Sequence, residues 1–179
     1  MKLIATPWQT VGPFFHIGCT QLDRANLTAH DKSAITIEGR ILDGDGKPVP
    51  DAMIEIWQAN AAGRYPTEEE VESFRGYGRA ATDTGGRFRF RTTKPGRVPF
   101  ADSRQQAPHL AVSILMRGLL KRLVTRMYFP DEPANAEDPV LSLIDSNRKG
   151  TLIAKPVRAG HLSWDVVLQG NGETVFFDL

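Results

Sequence analysis

Apolar and polar residues alternate with a period of two in short runs along most of the chain, and clusters of Gly, Pro and Asp separate the runs. Side chains on a β-strand point to opposite faces in turn, so each run reads as a strand with one buried face. In AITIEGRIL (34–42), Ile35, Ile37 and Ile41 share a face, and DGDGKPVPDA then supplies the Gly and Asp of a turn. AMIEIWQ (52–58) sets Ala52, Ile54 and Ile56 against Met53, Glu55 and Trp57, and GRFRFRT (86–92) sets Phe88 and Phe90 against three arginines. The stretch from Leu110 to Phe129 reads as two apolar strands, with RGLLKR as their connection or with Leu119 and Leu120 opening the second strand. LSWDVVLQG (162–170) places Leu162, Trp164, Val166 and Leu168 on one face, and ETVFFDL is a last apolar segment. TEEEVESF (67–74) has a brief helical look, but so short an acidic stretch nucleates poorly and belongs to a surface loop.

These elements predict an all-β fold: a β-sandwich of mixed-topology antiparallel strands with long loops and an N-terminal arm. The 179 residues suffice for one core, so the expectation is a single domain over 1–179, with arm and loop in 1–32 and the sandwich in 33–179. Charge adds two exclusions. The 22 basic and 21 acidic residues nearly cancel, and no Lys/Arg block is present to neutralise a phosphate backbone, so nucleic acid is not expected as a partner. No apolar run approaches the roughly 20 residues of a membrane helix, so no membrane is expected either. One cysteine, Cys19, cannot form an intrachain disulfide, and MKLIATPWQT lacks an export pattern; the expected compartment is the cytoplasm.

Candidate chemistry centres on APHLAVSILMRG (107–118). A strand there puts His109, Ala111, Ser113, Leu115 and Arg117 on one face, with His109 and Arg117 roughly 27 Å apart, too far to share a ligand unless the chain bends. His109 reads either as a metal ligand or as a histidine hydrogen-bonded within the sandwich. A metal needs three or four converging ligands, and His16, His30 and His161 show no paired spacing. Arg117, next to Gly118 at a strand end, is either a bidentate clamp for a carboxylate or a solvated loop arginine. QTVGPFF (9–15) is either an ordered arm against another surface or ordinary packing of Phe14 and Phe15; Tyr65 is either a phenolate ligand or a loop tyrosine.

Taken together, TPWQTVGPFFHIG, DAMIEIWQANAAGRY, TTKPG, APHLAVSILMRG, TRMYFPDE, TLIAKP and LQGNGETVFFDL resemble the intradiol ring-cleaving dioxygenases, and within them the α-type chains of those acting on protocatechuate. The likeness runs in order from Thr6 to Leu179. It implies a non-haem ferric site of two tyrosines and two histidines in the catalytic chains. The first tyrosine falls on Tyr65 and the first histidine on His109, but the other two positions are Val98 and Ala111, which offer no donor atom. The arginine that precedes the histidine pair in catalytic chains matches Gln106. The resemblance therefore implies that this chain binds no metal, and that Fe(III) sits in a partner β subunit. Protocatechuate and O2 would react there to give 3-carboxy-cis,cis-muconate, within a symmetric αβ hetero-oligomer. The residues matching the α-side lining of that pocket are Thr10, Gly12, Pro13, Phe14 and Arg117, the last beside the substrate carboxylate. The segment CTQLDRANLTAHDKS (19–33) is short for such a chain, which leaves room for another anionic catechol as substrate. A stand-alone β-sandwich binding protein without enzymatic partnership is the non-catalytic alternative.

Overall fold

The computed structural model describes residues 6–20, 22, 24–28, 31, 33–66 and 74–178. Two sheets face each other across the core. The first is built on β1 (Ile35–Leu42), which pairs antiparallel along its whole length with β4 (Arg87–Thr92). Its other edge carries two short strands in series, β10 (His161–Ser163) and β11 (Val166–Val167), both parallel to β1, and β10 pairs with β9 (Lys155–Arg158). The second sheet has the order β3-β2-β7-β8 and is antiparallel throughout: β3 (Tyr77–Ala81), β2 (Met53–Trp57), β7 (His109–Leu115) and β8 (Leu123–Tyr128). A small hairpin joins β5 (Val98–Pro99) to β6 (Gln105–Gln106).

The period-two pattern decides which face each strand buries. Ile37, Ile41, Phe88 and Phe90 point inward from the first sheet and meet Ile54, Ile56, Leu110, Val112, Ile114 and Met127 from the second. The arginines of β4 lie on the opposite face of their strand, where Arg87 and Arg89 reach solvent. Burying each of these aliphatic or aromatic side chains contributes about 1.5–3 kcal/mol, so the facing apolar rows are what hold the sheets together. A smaller cluster of Ala107, Tyr128, Leu141 and Leu152 closes one end.

Three details differ from the periodic reading. The 162–170 run is broken into β10 and β11, because Trp164 and Asp165 leave the ladder while Trp164 remains buried. The QTVGPFF region contains an α-helix, α1 (Pro13–Thr20), where an arm was expected; proline at the first helical position costs no hydrogen bond and presets φ. Leu27, in the segment expected to be arm and loop, is buried in the main core. The connection between β7 and β8 is 116–122, so Leu119 and Leu120 belong to it rather than to the second strand. Most of TEEEVESF lies outside the described residues; Phe74, its last residue, bridges Thr28. Among the described residues no helix is long and apolar enough to cross a membrane.

Candidate functional site

Two places collect the residues singled out above. The first is the face of the second sheet turned away from the core. Because the strands are in register, Tyr77, Trp57, Ala111 and Arg126 form one row across it, and His109 stands opposite Tyr128 in a neighbouring row. His109 is buried, and its Nδ1 lies 2.8 Å from the Ala107 carbonyl oxygen. A carbonyl only accepts, so Nδ1 carries the proton. Burial, aided by the nearby Arg126 guanidinium, lowers the His109 pKa to about 4, which keeps the ring neutral.

Tyr65 reaches the same face from the loop after β2. Asn60 folds that loop: its side-chain oxygen accepts from the amides of Ala62 and Arg64, both at 3.0 Å. Gly63, at φ +73°, lets the loop lie against the Arg97 carbonyl, which a Cβ would meet at 1.9 Å. The loop delivers Tyr65 flat onto Trp57, with ring centroids 5.5 Å apart and planes within 3°. Burial raises the Tyr65 pKa, which Arg126 opposes. Val98, on the β5–β6 hairpin, is buried.

Iron does not fit this face. Tyr65 and His109 are the only donors at the four matched positions, while Val98 and Ala111 present hydrocarbon and Arg126 presents a cation. Arg126 Nη1 donates to Gln106 Oε1 at 2.8 Å and lies 3.4 Å from the Tyr128 hydroxyl. The Tyr128 hydroxyl in turn donates to Asp138 at 3.2 Å. Asp138 is fully buried, and its two oxygens also accept from the amides of Ala107, Val140 and Leu141.

The second place is a cavity of about 210 Å³ between α1 and the end of β7. Gly12, Pro13 and Phe15 line one side, and Asp51 and Arg117 the other. Thr10 ties the N-terminal segment to this end of the sheet: its hydroxyl accepts from the Gly118 amide at 2.9 Å and donates to the Met116 carbonyl at 3.4 Å. Arg117 is not a free guanidinium, since its Nη2 lies 2.6 Å from Asp51 Oδ2. Asp51 sits at φ +62°, a left-handed turn conformation that aspartate tolerates. Phe14 lies outside the lining with 88% of its surface exposed.

The structure thus brings Thr10, Gly12, Pro13 and Arg117 together at one end of the second sheet, and Tyr65, Val98, His109 and Ala111 elsewhere. Sequence reasoning missed Asp51 and Arg126. Arg126 had a visible signal, a lone cation inside the apolar run LVTRMYF; Asp51, in a turn far along the chain from Arg117, had none. A larger cavity, about 540 Å³, lies beside the outer face of the first sheet. There Arg40, Arg87 and Arg89 face Glu38, Asp83 and Asp165, so opposite charges balance, and none of the candidate site residues lines it.

Comparison with known proteins gives the family. A dioxygenase family model matches residues 11–170. The chain is 40% identical to the protocatechuate 3,4-dioxygenase alpha chain of Burkholderia cepacia, over 97% of each chain. It is 37% identical to the beta chain of the same enzyme and organism, over 78% of this chain and 66% of that one. Among solved structures, the dioxygenase domain of a dioxygenase carbohydrate-binding fusion from Streptomyces sp. SirexAA-E superposes with a TM-score of 0.64 at 25% identity, covering 83% of this chain and 88% of that one. With its sandwich and a match along nearly its whole length, the chain belongs to the intradiol dioxygenase family.

Proposed function

We propose that the chain is the α subunit of a protocatechuate 3,4-dioxygenase, completing the active-site pocket of an iron-bearing β subunit. One observation carries this reading: the match to an alpha chain over 97% of the sequence goes with residues at two of the four matched positions, Val98 and Ala111, that offer no donor. Fe(III) in the partner supplies the activation of the catechol toward O2, and this chain holds none. Its own contribution is to bind and orient. Gly12 and Pro13 bring backbone without bulky side chains to the cavity edge, and Arg117 stands ready for the substrate carboxylate. The Asp51 carboxylate holds that guanidinium in place before substrate arrives, and a carboxylated ring either shares the fork with Asp51 or displaces it. An exposed pair of this kind is worth only about 0–1 kcal/mol, so exchange is cheap.

On this reading the chain functions as a single domain in a symmetric αβ assembly. The cytoplasm is the matching compartment, and Cys19 is free. Another anionic catechol as substrate would use the same cation, and a stand-alone sandwich would have no use for the arm-side cavity.

The test is co-expression with the β-type chain, followed by iron content and ring-cleavage assays on protocatechuate and catechol. The expected result is a co-purifying, iron-containing, protocatechuate-cleaving complex. Arg117→Ala in that complex removes a charge-assisted hydrogen bond worth about 1.5–3 kcal/mol, or roughly a 10- to 150-fold loss in kcat/KM for protocatechuate, with little loss for catechol. Equal losses on both substrates, with the assembly intact, would show that Arg117 does not read the carboxylate. A β chain that reaches full activity without this chain would remove the proposal altogether.

A further inference from the structure

We propose that Arg126 is a built-in cation standing where a metal ion would otherwise be held: its guanidinium, admitted by alanine at position 111 directly across the strand pair, organises Gln106 and Tyr128 and closes this face to metal. The cross-strand register makes Ala111 and Arg126 immediate neighbours on the same face. Cβ atoms of directly opposed residues are about 4.5–5.5 Å apart, so the size of one side chain sets the room for the other. Alanine leaves the long arginine stem free to lie along the sheet. Histidine at 111 would put an imidazole into that space.

What the guanidinium reaches supports a structural role. It donates to Gln106 Oε1 at 2.8 Å, and Gln106 uses its amide nitrogen to hold the Pro99 carbonyl at 2.9 Å, which pins the β5–β6 hairpin carrying Val98. It also lies 3.4 Å from the Tyr128 hydroxyl, itself hydrogen-bonded to the buried Asp138 carboxylate. The positive charge therefore sits between the hairpin, β8 and the Asp138 loop, and its field acts on both Tyr65 and His109. A second cation placed among these groups would face repulsion from the first. The small side chain at 111 and the cation at 126 then depend on each other, and changing either alone should be costly.

That coupling gives a test independent of any metal. In the full chain within its αβ complex, Ala111→His, Arg126→Met and the double variant are compared by thermal denaturation. Each single variant should melt lower than the unaltered protein. The double variant should melt roughly 2 to 8 °C higher than the sum of the two losses predicts, because methionine vacates the charge and bends away from the imidazole. Additive losses would overturn the proposal. The exclusion of metal rests on the function proposed above and is tested separately, by iron per αβ unit relative to the unaltered complex. Val98→Tyr with Ala111→His should add no iron while Arg126 remains, and should gain up to one further iron, with a tyrosinate charge-transfer band, once Arg126→Met is included. Extra iron with Arg126 still present, or none in the intact triple variant, would overturn the exclusion. If the buried tyrosine at 98 prevents folding, iron is compared between Ala111→His and Ala111→His with Arg126→Met, and no gain of iron on adding Arg126→Met overturns the exclusion.

Discussion

His109 shows how one buried side chain couples to pH. Its ordinary pKa of 6.5 falls to about 4 in the folded protein, first through burial and then through Arg126. Between those values the unfolded chain binds a proton that the folded chain refuses, so this contribution is fully present above pH 6.5 and is lost as pH falls toward 4. The two pKa values bound the effect at about 3 kcal/mol. Urea midpoints for the unaltered protein should therefore drop more steeply between pH 7 and pH 4 than those for His109→Gln, which cannot take up the proton. Parallel curves would mean that the imidazole is not held neutral. The hydrogen bond to the Ala107 carbonyl fixes which ring nitrogen of His109 carries the proton.

At the level of elements, the close approach of the 161–167 segment to β1 depends on one glycine. Gly39 faces inward from the middle of β1, and a Cβ there would meet the Trp164 carbonyl oxygen at 1.8 Å and the Phe88 ring at 2.9 Å. The Trp164 amide donates to the Glu38 carbonyl at 2.8 Å, so the segment is fastened at the very point where it comes closest. Gly39→Ala should force the backbones apart and cost about 1–3 kcal/mol or more, seen as a lower denaturation midpoint. An unchanged midpoint would show that the segment relaxes freely. This close approach also explains why the run Leu162 to Leu168 is two strands. Its alternation is regular, but Trp164 and Asp165 leave the ladder beside Gly39, with the Asp165 carboxylate bonding the Arg40 amide at 2.8 Å instead. A hydrophobic pattern reports which side chains are buried and is silent on which backbone groups pair.

For the molecule as a whole, several of the large apolar side chains left exposed lie in the N-terminal segment. Trp8 is 67% exposed, Phe14 88% and Ile17 57%, with Leu120 at 58% on the connection that Thr10 binds. Lys121 lies over the Trp8 ring at 4.7 Å, covering only part of it. Apolar side chains grouped in this way mark an interaction surface, and the αβ assembly supplies an occupant. Phe14→Ser with Ile17→Ser should weaken association with the β chain by tenfold or more while leaving the chain's own melting temperature within a few degrees, since neither side chain is in the core. Sedimentation of the mixed subunits measures this, and an undiminished complex would place the interface elsewhere.

By itself the sequence determined the buried faces of β1, β2 and β4, because side-chain alternation is a local property: Ile37 and Ile41, Ile54 and Ile56, Phe88 and Phe90 turn inward as their spacing requires. It also determined, through Val98 and Ala111, that two of four matched positions lack a donor, because donor atoms are a matter of residue identity alone. Only the tertiary structure decided which distant residues meet. Arg117 and Asp51 form an ion pair across 66 positions of chain, and Arg126 comes to stand opposite Ala111 through the register of β7 and β8. Register and loop closure depend on every contact between the two sheets at once, and no run of a few residues contains that information.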